Sequence, residues 1–359
     1  MVVWRSRLDS AIRRCSSRRL EHLEDQVLTA LRIGAAQILV LGIPAHAAVS
    51  TSAACVTGRG ATGYVNAVLR RLASTGEAAD DPPWVRFSHP ETLFRRWSAR
   101  FGEDHAIRLM EWDNEIPPLG GWPGPGASGE GTPGRWLSGY RVYERSGPME
   151  PDRIPDGAYI QDEGAAIVGE GAARLPGSRM VEVGASPGGK TAHLDAGAAV
   201  LAAVDISRAR IGRWLENRSR LGWSRSLAVV ADGTALPFSA CDKVVIDAPC
   251  TSTGVLRRRP DARWRWSASR LEECVAVQRR LISAGAGALA PGGILVYSVC
   301  SLEPEECTGQ VSWFEESSPG FRRLDFPAPS VLVSEGVLDI FPPDRLIDGH
   351  FAVAWIREI

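Results

Sequence analysis

A series of short apolar runs, each ending in a glycine turn, an acid or a cysteine, constrains this chain more than any other feature. Met180 to Val183 runs into a glycine loop, Gly184-Ala185-Ser186-Pro187-Gly188-Gly189-Lys190-Thr191. Val200 to Val204 ends at Asp205, and Leu227 to Ala231 ends at Asp232. Val244-Val245-Ile246 ends at Asp247-Ala-Pro-Cys250, and Gly293 to Val299 ends at Cys300. Brief β-branched runs closed by turn residues read as buried strands. Helical patterns at Glu163 to Ala173, Ser207 to Leu221 and 267–289 lie among them, and strands alternating with helices imply a parallel sheet. Further strands are expected around Leu338 to Phe341 and Phe351 to Ile356. In such a sheet the ligand site forms at the carboxyl ends of the strands. Asp247, Cys250 and Cys300 would then meet at two neighbouring tips. The residues alone do not choose between the two thiols as nucleophile.

The glycine loop admits two readings. Gly184 to Thr191 fits G-x-x-x-x-G-K-[ST], the phosphate cradle of nucleoside triphosphatases, and Val244 to Asp247 could serve as its acidic strand. The alternative is the nucleotide-binding half of a Rossmann-like sheet, in which glycines let the backbone approach the ligand. There Asp205 accepts ribose hydroxyls and Asp232 touches an adenine edge. A phosphate cradle explains neither acid, nor the cysteines. Glu182, just before the loop, suits a ligand with a positive amino group better than a triphosphate. The pattern therefore favours S-adenosyl-L-methionine, with Gly184, Ala185, Ser186, Pro187, Gly188, Gly189, Lys190, Asp205, Asp232 and Asp247 as its candidate binding residues. Lys190 is expected to orient Asp247 or nearby backbone.

The N-terminal part reads differently. Residues 1–19 are basic and only weakly periodic. Leu23, Val27, Leu28, Leu31, Ile38 and Leu41 recur near helical spacing until Gly42 and Pro44, and Ala45 to Val56 and Thr62 to Ala73 read as two more helices. This is a small all-α unit. Ala78-Ala-Asp-Asp-Pro-Pro83 marks a boundary. A helix follows Ser88-His89-Pro90, with His89 as a cap or turn residue. Residues 117–134 are rich in Gly and Pro and are expected to form a poorly ordered loop.

With 359 residues there is material for two or three domains, and a net charge of −1 excludes a molecule that is basic throughout. The cations are nearly all arginine; lysine occurs only at Lys190 and Lys243. Arg257, Arg258, Arg259, Arg263 and Arg265, interleaved with Trp264 and Trp266, suggest an RNA-facing lip that holds phosphates and stacks an unpaired base. The cysteines are seven, without a CxxC pair, so no metal site is signalled. An odd count without a secretory leader is expected of reduced thiols in the cytoplasm. No window is long and apolar enough to span a bilayer, so no membrane partner is expected.

Taken together, these residues resemble the RNA cytosine-C5 methyltransferases of the Nol/Nop/Sun family. The likeness runs through Gln161-Asp162-Glu163, Glu182 to Thr191, Asp205-Ile-Ser, Asp232-Gly-Thr, Asp247 to Cys250 and Arg258-Arg-Pro-Asp261. It continues through Ser298-Val-Cys-Ser301, Glu305-Glu306 and Asp348-Gly-His-Phe351. Leu31 to Gly34, His46 to Val49 and Val65 to Arg71 resemble the NusB-like domain of the same family. Glu182, Gly184, Val299 and Cys307 depart from the family pattern of Asp, Cys, Thr and Asn.

The resemblance implies an α/β Rossmann-like class I methyltransferase domain over 156–359. A NusB-like helical RNA-binding domain over 1–80 and a joining region over 81–155 precede it. It also implies a monomeric enzyme acting on small-subunit ribosomal RNA to make 5-methylcytosine. Cys300 would be the nucleophile, Cys250 the group that releases product, and Asp247 the acid near ring nitrogen 3. Two alternatives stay open: a P-loop nucleoside triphosphatase, and an RNA-binding relative impaired in catalysis.

Overall fold

The computed structural model describes residues 1–78, 80–123, 131–143 and 157–358. By internal contacts the chain forms two units. One comprises Met1–Glu115 with Arg259–Trp264; the other comprises Ile116–Arg258 with Arg265–Ile359.

The first unit is helical. α1 (Arg5–Cys15), α2 (Asp25–Leu39), α3 (Ala45–Ala53) and α4 (Arg59–Thr75) enclose a core that includes Leu8, Ile12, Leu31, Val49, Val65 and Leu69. α1 was not expected, because its arginines mask the pattern. Yet Leu8, Ala11, Ile12 and Cys15 fall on one face and are buried. Arg13 and Arg14 occupy its last turn, where cations favour the helix dipole. Arg32 grips Asp9 with two hydrogen bonds of 2.7 and 2.8 Å, tying α2 to α1. Gly34 lies inside α2, where glycine costs about 1 kcal/mol relative to alanine. It is needed there because a Cβ would come within 2.3 Å of Leu69 on α4.

α5 (Pro83–Arg86), α6 (Glu91–Phe101) and α7 (Glu103–Trp112) complete the unit. His89 is buried in the turn before α6, with Nδ1 2.8 Å from the Phe87 carbonyl oxygen and Nε2 3.3 Å from Asp113.

The second unit opens with a small antiparallel sheet of β1 (Leu119–Trp122), β2 (Thr132–Pro133), β3 (Arg141–Tyr143) and β4 (Tyr159–Ile160), in the order β2-β3-β1-β4. This corrects the expectation of a loop through 117–134; residues 124–130 of that stretch lie outside those described. The glycines that read as loop are there for close packing. A Cβ on Gly120 would meet the Tyr140 hydroxyl at 2.3 Å, and one on Gly121 the Tyr159 carbonyl at 2.5 Å.

After α8 (Glu163–Arg174) comes the main sheet. Its parallel strands are β5 (Arg179–Val183), β6 (Val200–Asp205), β7 (Ser226–Val230), β8 (Cys241–Asp247) and β9 (Leu289–Val299). Between them in the chain run α9 (Thr191–Leu194), α10 (Arg208–Leu221) and α12 (Ala268–Ala288), together with α11 (Ala262–Arg265), most of which belongs to the first unit. α13 (Thr308–Ser317), β10 (Phe321–Leu324), β11 (Val333–Ser334), β12 (Val337–Asp339), α14 (Pro342–Arg345) and β13 (Phe351–Arg357) follow. The order is β11-β12-β13-β9-β8-β5-β6-β7, with β10 also paired to β13, which is antiparallel to β9. The chain winds outward from β5 to β7 and then returns to β8 beside β5. That switch point opens a crevice at the carboxyl ends of β5 and β8.

Lys243 on β8 is fully buried and donates to the carbonyls of Ala172 (2.9 Å) and Leu175 at the end of α8. It caps the negative end of the helix dipole from the neighbouring sheet. Lys243→Met would leave both carbonyls unpaired and is expected to destabilise the unit by about 1–3 kcal/mol, read as a lower urea midpoint.

Candidate active site at the tips of β8 and β9

The parallel pairing of β8 with β9 sets Asp247 opposite Ser298 and brings the two turns beyond them together. Cys250 Sγ and Cys300 Sγ are 3.4 Å apart, and both residues are partly exposed. Ser252, at a φ of 62°, places its Oγ 3.8 Å from Cys300 Sγ and 4.0 Å from Cys250 Sγ. The Cys300 thiol's hydrogen bond, together with burial, pushes the Cys250 thiol well above its ordinary range.

Glu306 clamps this arrangement. Its buried carboxylate accepts from Thr251 N at 3.0 Å, from the hydroxyls of Thr251 and Ser301, and from Gln278 Nε2 at 2.9 Å. Thr251 and Ser301 each follow one of the cysteines, so a single side chain joins both turns. Composition gave no sign of this role; only the place of Glu305-Glu306 in the ordered motif set could have pointed to it.

Lys190 Nζ lies 2.7 Å from Asp247 Oδ2, and Ser298 Oγ lies 3.5 Å from Asp247 Oδ1. The carboxylate is therefore held from both sides while remaining partly exposed. Gly184 has a φ of 76°, and a Cβ there would meet the Asp247 carbonyl at 2.3 Å. Gly184 N and Ala185 N both donate to Val204 O, at 2.9 and 3.1 Å, which fixes the loop over the tips of β5 and β6. The Ser186–Pro187 peptide is cis. Ser186 Oγ donates to Arg210 O at 2.6 Å, and Pro187 O accepts from Asn217 Nδ2 at 2.9 Å. Gly188, at a φ of 115°, passes so close to Trp223 that a Cβ would lie 2.2 Å from the ring. A Cβ on Gly189 would make ordinary contacts, 3.5 Å from Gln161 Oε1 and 3.7 Å from the Tyr159 hydroxyl.

At the end of β6, Asp205 is buried. Its Oδ1 accepts from Ser207 N at 2.8 Å and lies 3.1 Å from Arg210, whereas Oδ2 is buried with no hydrogen-bond partner. Such an orphaned acceptor fits a ligand hydroxyl. Asp232, just past β7, is exposed and accepts from Thr234 N and Oγ1 on Oδ1.

Residues 173–356 match the 16S rRNA methyltransferase RsmB/F family, and residues 1–74 match the NusB family. The chain is 31% identical to ribosomal RNA small subunit methyltransferase B of Thermus thermophilus, covering 95% of this chain and 82% of that protein. It is 30% identical to the protein of the same name from Pseudomonas putida, covering 90% and 80%. The chain belongs to the RsmB/F methyltransferase family. The crystal structure of PH0851 superposes with a TM-score of 0.83 at 22% identity, covering 99% of this chain and 87% of that one. NSun6 of Pyrococcus horikoshii, solved with SFG, gives a TM-score of 0.61 at 18% identity, covering 75% and 98%. Both show the same fold.

The RsmB/F site departs from three sequence expectations. First, Glu182 does not face a ligand. It is buried and accepts from Thr191 N at 3.2 Å and Thr191 Oγ1 at 2.5 Å, capping α9. Second, the phosphate-cradle reading fails. Thr191 Oγ1 is committed to Glu182 and to Trp214 Nε1 (2.9 Å), and Lys190 is paired with Asp247, so neither is arranged for magnesium or phosphate. The helix after the loop, Thr191–Leu194, is also only four residues long.

Third, the arginine lip is largely spent inside the protein. Arg257 and Arg258 both grip buried Asp348. Arg263 is fully buried, donating to Asp113 O at 2.9 Å, Asn114 Oδ1 at 2.8 Å and Ser88 O at 3.3 Å. Trp264 Nε1 donates to Val2 O at 2.9 Å. These partners are far away in sequence, so the charge run alone could not reveal them. The departing residues Val299 and Cys307 are packed in the core.

Burial raises the Glu182 pKa to about 8, with hydrogen bonds from Thr191 acting the other way. An acid with a raised folded pKa keeps its proton where the unfolded chain has lost it. Stability from this group is thus full below about pH 4.5 and is lost as pH rises through about 8. Glu182→Gln is expected to flatten the fall in melting temperature over that window, as read by calorimetry across pH.

Among the described residues no cluster of His, Cys, Asp and Glu could hold a metal ion, and no helix is long and apolar enough to cross a membrane.

Proposed function

We propose that this protein transfers a methyl group from S-adenosyl-L-methionine to carbon 5 of a cytosine in small-subunit ribosomal RNA, in the cytoplasm, through a covalent bond between Cys300 and carbon 6. The observation that supports this reading best is the pair of sulfurs, 3.4 Å apart, at the strand tip that carries Asp247. The names of the relatives supply the ribosomal RNA.

The donor, when bound, supplies an electrophilic methyl group. Gly184 to Gly189 would line its bed, the free oxygen of Asp205 would accept from ribose hydroxyls, and Asp232 would meet the adenine edge. Carbon 5 of cytosine is a poor nucleophile. Attack of a thiolate on carbon 6 gives it enamine character, which is nucleophilic catalysis. Asp247, paired with Lys190 across 2.7 Å, would carry a proton to ring nitrogen 3 as charge builds there. A base must then take the carbon-5 proton before the adduct can collapse.

The two thiols are not equivalent. Cys250 holds its proton strongly and can donate it across 3.4 Å to a Cys300 thiolate. This favours Cys300 as nucleophile; with Cys300 bound in the adduct, Cys250 would lose its proton to water and then take the carbon-5 proton as the bond from Cys300 to carbon 6 breaks. The target base must be unpaired or flipped out, since carbon 6 is unreachable in a stacked duplex.

Incubation with labelled methyl donor and undermodified small-subunit rRNA tests the reading. Label in 5-methylcytosine is expected. RNA binding with no label in cytosine would identify a non-catalytic relative instead.

A further inference from the structure

Across the sheet from Cys300 stands a buried ion pair that the mechanism above does not use. β13 pairs antiparallel to β9 with Phe351 opposite Val299, so His350 comes opposite Cys300 one residue beyond the last pair. Phe351 and Val299 both point into the core layer beneath one face of the sheet. Strand alternation, carried one residue past the end of each strand, would turn His350 and Cys300 to the other face. The backbones are bridged by Gly254, whose N donates to Cys300 O at 3.1 Å and whose O accepts from Gly349 N at 2.7 Å. There is no space in this bridge: a Cβ on Gly254 would meet Gly349 O at 2.3 Å.

His350 is itself pinned. Its ring is buried, with Nε2 3.3 Å from Asp162 Oδ1, and Cδ2 lies 2.7 Å from where a Cβ on Gly164 would be. Asp162 caps α8 by accepting from Ala165 N at 3.0 Å.

We propose that the Asp162–His350 pair is a positioning device that holds a positive charge beside Cys300 and so keeps its sulfur in the thiolate form. The inference deepens the proposed function and rests on Cys300 being the nucleophile. His350 acts through Cys300 and need not touch the base. The thiol proton leaves to water; the ring keeps its own protons, one of them shared with Asp162.

The charged groups around the ring support this. Asp162 in the turn before α8, 3.3 Å away, acts on it directly, and Cys300 at the end of β9 and Lys190 in the glycine loop act on it through their charge. Arg258 acts on Asp162. Burial and Lys190 oppose a charge on the ring, but Asp162 and Cys300 outweigh them, and the His350 pKa lies above its ordinary value. Asp162 is held below its own, its burial outweighed by His350 and Arg258.

The test measures the thiol directly. In a Cys250→Ser background, the rate of iodoacetamide modification of Cys300, followed by peptide mass mapping, is recorded against pH. Loss of a neighbouring positive charge is expected to raise the midpoint by about one pH unit or more in His350→Gln and His350→Phe. Asp162→Asn, which still caps α8, should shift it in the same direction. The alkaline shift should also appear in the pH profile of methyl transfer by the corresponding single variants.

Unmoved midpoints in His350→Gln and Asp162→Asn, both of which keep a polar side chain of similar size, would overturn the proposal even if His350→Phe fails to fold. The titration needs no RNA. A shifted midpoint without methylated cytosine would therefore uphold the charge device and reject the proposed function. Methylated cytosine with an unmoved midpoint would do the reverse.

Discussion

Cys300→Ala is expected to abolish both methyl transfer and covalent attachment to RNA. If the sulfur of residue 300 supplies the electrons that make carbon 5 nucleophilic, no neighbouring group can replace it at the same place. Turnover should fall by about 10⁶-fold, the order seen when a covalent nucleophile is removed. The fold should survive. Cys300 lies beyond the end of β9, is partly exposed, and its sulfur meets Cys250 and Ser252. Losing one such atom costs about 1 kcal/mol. The checks are single-turnover transfer of labelled methyl and a denaturing gel for protein bound to RNA. A gel-stable adduct in Cys300→Ala would reverse the assignment of the two thiols.

Cys250→Ala is expected to do the opposite to the adduct. With the nucleophile intact, attack on carbon 6 and methylation proceed, but the step that frees the product loses the thiol facing it. Protein bound covalently to RNA should therefore accumulate and survive denaturation, while turnover falls toward a single event per molecule. The Cys250→Ala, Cys300→Ala double variant should show no adduct. That outcome separates trapping by Cys300 from adventitious reaction of the other cysteines, of which Cys15, Cys241, Cys274 and Cys307 are buried and Cys55 is exposed. Free turnover by Cys250→Ala, without adduct, would remove Cys250 from product release.

Several features of this site were open to reading in the chain itself. The parallel strands announce themselves by apolar runs that stop at turn residues, because a strand buried on both faces has no polar alternation to blur its ends. Asp205, Asp232, Asp247, Cys250 and Cys300 each follow such a run, so their common edge of the sheet could be inferred. α1 was lost because five charged residues share its eleven positions. β1 was lost because Gly120 and Gly121, which permit close contact with Tyr140 and Tyr159, are also the residues of loops.

Local order in the sequence determined which residues end the strands, and strand-end chemistry follows from that alone. What only the tertiary structure decided is where each charge is spent. Arg257 and Arg258 close on Asp348, about ninety positions away. Glu182 turns back to cap α9, Glu306 binds the two cysteine turns together, and His350 meets Asp162 across 188 positions. The physical reason is that a buried charge is tolerated only with a partner. That partner is chosen by the packing of distant segments, which carries no signature in the residues on either side.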